Sequence, residues 1–171
     1  MKYVKIVFIV IIMFIIFCIP FQKSFVIEKG ISGKVLAYFP IHQTNKTFHI
    51  LYTHSIHKSD VKETYIILNN NKIRQIELMY EDTSIGMPSN AEEGETFEMV
   101  EGKYVIRNMK RDFQSINMRV AQVVGDHTLF VNGCQLKLSS IVEPGSLVKM
   151  KVRRLSLWQS WRGVNIVGKS T

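Results

Sequence analysis

Between Thr47 and Glu63 apolar and polar residues alternate. Phe48, Ile50, Tyr52 and His54 share one parity, and His49, Leu51, Thr53 and Ser55 share the other. A period of two marks a strand, because successive side chains point to opposite faces. The first set is the apolar one, which puts His54 on the covered face. In the next run Val61, Glu63, Tyr65 and Ile67 share a face, with Glu63 among apolar neighbours. A hairpin with His54 opposite Glu63 also sets Tyr52 against Tyr65 and Ile50 against Ile67, so every cross-strand pair is sensible. An unpaired carboxylate in an apolar setting is costly. The pattern therefore predicts a His54–Glu63 pair at or just inside the covered face. Such a pair is either a structural device that fixes register or part of a polar pocket for a ligand or partner.

Similar runs predict strands over 34–41, 47–55, 61–68, 72–80, 102–109, 116–124, 128–131, 134–138 and 146–154. Turn signals separate several of them: Asn69-Asn70-Asn71, Asn132-Gly133 and Glu143-Pro144-Gly145. Residues 81–90 read as a loop, and 110–115 as a helical turn or loop. No long amphipathic helix interrupts the series. The expected fold is all-β, a sandwich or barrel of roughly 8–10 antiparallel strands.

The N-terminus breaks this pattern. Lys2 and Lys5 precede IVFIVIIMFIIFCIPF, an almost unbroken apolar run over 6–21. It is dominated by Ile and Phe, and no small-x-small cleavage site follows it. Residues 1–21 are therefore expected to be one transmembrane helix, a membrane anchor or uncleaved signal. The two lysines would keep the N-terminus in the cytoplasm and place the remainder outside the cell membrane. Residues 22–33, with Gly30 and Gly33, read as a linker, and 34–171 as a single extracytoplasmic β-domain. Outside the apolar run Cys134 is the only cysteine, so the domain has no internal disulfide.

The net charge of +8 matters less than its placement. Basic and acidic residues balance from Gln22 to Glu143. Beyond Glu143 there is no acidic residue, while Lys149, Lys151, Arg153, Arg154, Arg162 and Lys169 are basic. With Trp158 and Trp161, Lys149, Lys151, Arg153 and Arg154 are candidates for contact with a membrane surface. The alternative is a final strand pair whose tryptophans cap the core. A basic strand alone is weak support for nucleic acid, which is not an expected partner.

Catalytic and metal chemistry find little support. His54 and Ser55 are adjacent on a strand and point apart, so one is poorly placed to activate the other. There is no nucleophile elbow and no phosphate-binding glycine loop. His49 and His54 face opposite ways, so with His57 they resemble a metal cluster only in number. Glu92, Glu93, Glu95, Glu98 and Glu101 fit no calcium loop and read as a solvated face. No cofactor is expected, and the chain does not read as an enzyme.

Tyr52-Thr53-His54-Ser55-Ile56, then Val61 and Glu63, resembles the Y-x-H-S-V…P-V-x-E signature of the domain-of-unknown-function 1850 family. Ser84-Ile85-Gly86-Met87-Pro88-Ser89 is similar to its second signature, roughly S-x-G-x-G-L-P-S. Asp60 stands where the family usually has proline, and the second segment is one glycine short. The resemblance implies an accessory to solute uptake, associated with TAXI-class tripartite ATP-independent periplasmic (TRAP) transporters. The implied partner is the permease or the solute-binding protein. The implied binding or interaction residues are Tyr52, His54, Ser55, Glu63, Ser84, Gly86 and Pro88. The alternative function is a small-ligand domain that holds an organic acid at Tyr52, His54 and Glu63. A surface hydrolase is a more distant third.

Overall fold

The structure is a computed structural model and describes residues 2–43, 46–54, 58–82, 87–122 and 125–169. Helix α1 (Lys2–Cys18) is followed by β1 (Gln22–Lys29), β2 (Lys34–Pro40), β3 (Thr47–Thr53), β4 (Asp60–Ile67) and β5 (Ile73–Tyr80). Next come β6 (Thr96–Val100), β7 (Lys103–Phe113), β8 (Ser115–Arg119), β9 (Thr128–Val131) and β10 (Cys134–Lys137). The chain closes with β11 (Leu147–Leu155), the short helix α2 (Leu157–Arg162) and β12 (Val164–Asn165).

The strands form two open sheets, one ordered β12-β2-β1-β11-β8 and the other β10-β9-β3-β4-β5-β7-β6. Every pairing is antiparallel except that of β12 with β2, which is parallel. The main core lies between the sheets. Phe25 of β1 stacks on Phe39 of β2 at 5.0 Å and meets Phe48 of β3 at 4.5 Å, and Phe48 stacks on Tyr65 of β4 at 5.3 Å. These rings are buried, and each contributes about 1.5–3 kcal/mol by leaving water. A second cluster occupies the other half of the large sheet: Val61, Leu78, Tyr80, Ile106 and Met109, with Tyr52, Met87, Phe97 and Tyr104 against it. A third, of Val26, Val35, Tyr38 and Leu155, lies on the back of the small sheet beneath α2.

The predicted turns form where their chemistry requires. Asn132 and Gly133 both take positive φ (51° and 78°) and join Val131 to its partner Cys134 in a tight hairpin. Asn71 (φ 68°) does the same work between β4 and β5.

Several expectations are corrected. Residues 22–29, read as a linker, form β1, flanked by β2 and β11 at the centre of the small sheet. Phe25, Val26 and Ile27 are consecutive and apolar because this strand is covered on both faces, and such a strand carries no alternation to read. Strand β7 runs through 110–113, and β6 lies inside the acidic stretch.

The single-pass anchor is overturned as well. No helix among the described residues is long and apolar enough to cross a membrane. Helix α1 has 17 residues, about 26 Å at 1.5 Å per residue, against a hydrocarbon core of about 30 Å. Pro20 disfavours helix in the residue before it, and Phe21 donates its N–H to the Leu155 carbonyl at 3.2 Å, tying the chain to the small sheet. Much of what reads as a continuous apolar run is helix, but its end belongs to the start of the β-fold. The expected single-pass topology, with a cytoplasmic N-terminus and an external domain, rested on that span and falls with it.

Candidate functional site

The hairpin of β3 and β4 keeps the predicted faces but not the predicted register. Ile50, not His54, lies opposite Glu63, Phe48 lies opposite Tyr65, and Tyr52 lies opposite Val61. The shift is four residues, an even number, so the same side chains still share the inner face. His54 falls just beyond the end of β3. Its N–H donates to the Ser59 carbonyl and its carbonyl accepts from the Lys58 N–H, both at 2.8 Å. Strand β3 ends at Thr53, short of the expected Ser55, and Lys58, with φ 53°, precedes the return into β4. Across the end of the hairpin Thr53 Oγ1 donates to Asp60 Oδ1 at 3.1 Å.

Two phenols, both on the inner face, hold the Glu63 carboxyl. Tyr65 donates to Oε2 at 2.7 Å and Tyr52 to Oε1 at 3.4 Å. Burial pushes the Glu63 pKa above the ordinary carboxylate value, and the two hydrogen bonds oppose that shift. Burial, with Glu63 beside them, also raises both phenols, which stay protonated donors. Tyr52 further packs against the ring of His127 at 5.0 Å. Burial lowers the His127 pKa, against a smaller opposing effect of Asp126. Its Nδ1 is buried and has no hydrogen-bond partner among the described residues.

This cluster sits at one end of the large sheet, where β3 ends, β4 begins, β5 ends and β9 begins. The described flanks of three connections, 54–59, 81–90 and 121–127, meet there. Gly125 (φ +88°) presses its backbone against the Thr53 carbonyl so closely that a Cβ would overlap it. Tyr80, at the end of β5, donates its hydroxyl to the Pro88 carbonyl. Met87 packs on the second core beside Tyr52. Farther along, Glu92 and Glu95 pair with Arg111 at 2.9 and 3.4 Å, and Glu98 pairs with Arg107. These carboxylates of the predicted solvated face therefore tie the 87–98 segment to β7.

Of the predicted site residues, Tyr52 and Glu63 meet directly, His54 lies just past the end of β3, and Pro88 is held by Tyr80 at the same end. Ser55, Ser84 and Gly86 lie outside the described residues. Sequence reading paired Tyr65 with Tyr52 without assigning it to the site, although its parity with Glu63 marked it. It missed His127 entirely, since a residue preceding a short strand carries no periodic signal. His49 faces outward, with Nδ1 and Thr64 Oγ1 at 3.0 Å. No set of three metal-ligating side chains gathers among the described residues.

The tail departs from the expected final strand pair. Trp158 and Trp161 sit on α2, not on a final strand pair, and Trp161 is 75% exposed. A capping box starts this helix: Ser156 Oγ accepts from the Gln159 N–H and Gln159 Oε1 from the Ser156 N–H, both at 3.2 Å. Lys151 and Arg153 turn toward buried Glu28 at 2.8 and 2.6 Å. Arg154 is exposed and Lys149 half-buried.

The sequence pattern of a family described as a domain of unknown function (DUF1850) matches residues 48–138, more than half of the chain. The chain belongs to that family. No curated protein and no solved structure matches it. The DUF1850 segment has a clear structural meaning here. It spans nearly the whole seven-stranded sheet together with β8, whereas β1, β2, β11 and β12, which complete the small sheet, come from the flanks. The partly buried cluster of Tyr52, Glu63, Tyr65 and His127 falls wholly within it.

Proposed function

We propose that this protein is a non-catalytic accessory module that works by protein–protein contact. Its partner would be the permease or solute-binding component of a TAXI-class TRAP transporter, as the family resemblance implies. One observation carries the reading: both oxygens of the Glu63 carboxyl accept hydrogen bonds from tyrosines on the same sheet face. With both oxygens engaged, the carboxyl is fixed in place as a scaffold group would be. At the same end of the sheet Tyr80 holds the segment around Pro88, and Thr53 with Asp60 closes the end of the hairpin beside His54. Connections carried on a rigid sheet are where binding residues commonly lie.

The test is crosslinking in cells with the tagged full chain, comparing wild type with His54→Ala, followed by identification of the captured proteins. Recovery of a permease or solute-binding protein, reduced in the variant, supports the reading. Wild-type recovery of neither would overturn it.

A second reading, a small organic acid held at Tyr52, His54 and Glu63, is favoured by the buried Nδ1 of His127. A ligand that binds only the folded state raises the melting temperature. A panel of organic acids that leaves the melting temperature unmoved would dismiss it.

A further inference from the structure

The two flanks of the family segment together build a second site, remote from the Glu63 cluster. A pocket of about 380 Å³ opens on the back of the small sheet, between the start of β2, the end of β11 and α2. Lys34, Arg153 and Arg162 supply its charge, and Trp158, Gln159 and Val35 supply much of the remaining wall. No carboxylate is among its described lining residues. We infer that this pocket binds a phosphate group carried on a small organic molecule or a lipid headgroup.

The charge balance favours an anion. The carboxylate of Glu28, paired with the lining residue Arg153, is buried and engaged by both Lys151 and Arg153. One carboxylate against Lys34, Lys151, Arg153 and Arg162 leaves a local excess of three positive charges. The two arginines are also held in place. Glu28 grips the Arg153 Nε, and Arg153 Nη1 donates to Gln159 Oε1 at 3.4 Å. The Arg162 guanidinium lies over the Trp158 ring at 5.4 Å, a stacking that positions it. Guanidinium groups present parallel donors that match phosphate geometry. The volume falls in the range of small-ligand sites and exceeds what a bare ion needs, so the phosphate brings an organic portion to lie on the indole and Val35.

The protein carries its own reporter, because its only two tryptophans, Trp158 and Trp161, both lie on α2. The experiment follows tryptophan fluorescence of the full chain during titration with inorganic phosphate, glycerol 1-phosphate, and vesicles of phosphatidylglycerol or phosphatidylcholine. Chloride at matched ionic strength is the blank. The expected result is a saturable change with glycerol 1-phosphate or phosphatidylglycerol that chloride does not reproduce. Removing two charge-assisted contacts in a Lys34→Gln/Arg162→Gln double variant should weaken it by about tenfold or more. Lys137→Gln, on the large sheet, should leave it unchanged. Saturation by the soluble phosphoester identifies a soluble ligand, and saturation only by phosphatidylglycerol identifies a lipid headgroup. The inference is overturned if no probe saturates, if chloride or phosphatidylcholine matches the response, or if the double variant binds as wild type does. Both substituted side chains are exposed, so the fold is expected to survive. Because this site shares no residue with the Glu63 end, its failure would leave the accessory reading untouched, and the reverse holds too.

Discussion

The phenol of Tyr65 donates to the Glu63 carboxyl, two residues back on the same face of β4, at 2.7 Å. Residues i and i+2 of a strand are neighbours on one side, so the pair needs no special backbone and is written into the alternation itself. It places a hydrogen-bonded acid among the aromatic rings of the core, since Tyr65 also stacks on Phe48. Tyr65→Phe keeps the ring and removes the donor. A hydrogen bond to a charged or partly charged group contributes about 1.5–3 kcal/mol. Chemical denaturation should show a stability loss in that range with an unchanged m-value. A loss well below it would mean that Tyr52 alone satisfies the carboxyl.

The same carboxyl should leave a mark on the pH dependence of stability. Its folded pKa is raised above the ordinary 4.5 by burial. The folded state then holds the proton more tightly than the unfolded state does. The associated stability is fully present below about pH 4.5 and is lost as pH rises through the raised folded value. Burial of His127 and His49 acts in the opposite sense: their folded pKa values lie below 6.5, and their stability is lost as pH falls through those lowered values. The difference between wild type and Glu63→Gln isolates the carboxyl. The variant's melting temperature should gain on wild type from pH 4.5 upward, and a gap independent of pH would refute the shift.

How far the sequence could lead is clearest in this hairpin. Parity alone assigned Tyr52, Glu63, Tyr65 and Ile67 to one face, because the period of a strand is fixed by backbone geometry. Register was not available to parity, since a slip of two or four residues preserves every face. Strand β3 ends at Thr53, one residue before His54, and the return into β4 after Lys58, with its positive φ, sets the pairing instead. The Asn132-Gly133 hairpin was legible because its residues demand that backbone. Strand β1 was not, since a strand buried on both faces has no alternation and sits beside an equally apolar helix. The contact of His127 with Tyr52 joins residues far apart in the chain, and no local pattern encodes it.

Gly125 tests whether the connection before β9 is fitted to the end of β3. Its φ of +88° is strained for any residue with a Cβ, and that Cβ would overlap the Thr53 carbonyl. Both effects act against Gly125→Ala, and such strained positions cost about 1–3 kcal/mol. The backbone that must move is that of Thr53, the residue after Tyr52 in β3. Gly125→Ala should therefore lower stability and also alter the near-ultraviolet circular dichroism of the tyrosines. Gly133→Ala, also at positive φ but with open space around it, should lower stability without that spectral change. Identical spectra for the two variants would mean that the contact with Thr53 is not felt at the site.

Glu28 anchors the opposite side of the molecule, and its burial decides how it should respond to substitution. Its side chain is only 4% exposed, and both oxygens face cations: Lys151 at 2.8 Å and Arg153 at 2.6 Å. Glu28→Gln keeps the shape but leaves two cations, each roughly a quarter to a third exposed, facing an amide. Removing one partner of a fully buried pair costs about 3–5 kcal/mol. Water reaches these cations in part and screens them, so a loss on the order of 2 kcal/mol is expected. Raising the salt concentration should change that loss little, because a buried carboxylate is poorly screened. The exposed pair of Arg74 and Asp112 offers the comparison, joined at 2.6 and 3.0 Å on the outer face. Asp112→Asn should have a much smaller effect, and high salt should erase it. Equal losses for the two variants, or a loss for Glu28→Gln that vanishes in salt, would show that Glu28 is solvated and that the wall of the α2 pocket is not held rigid.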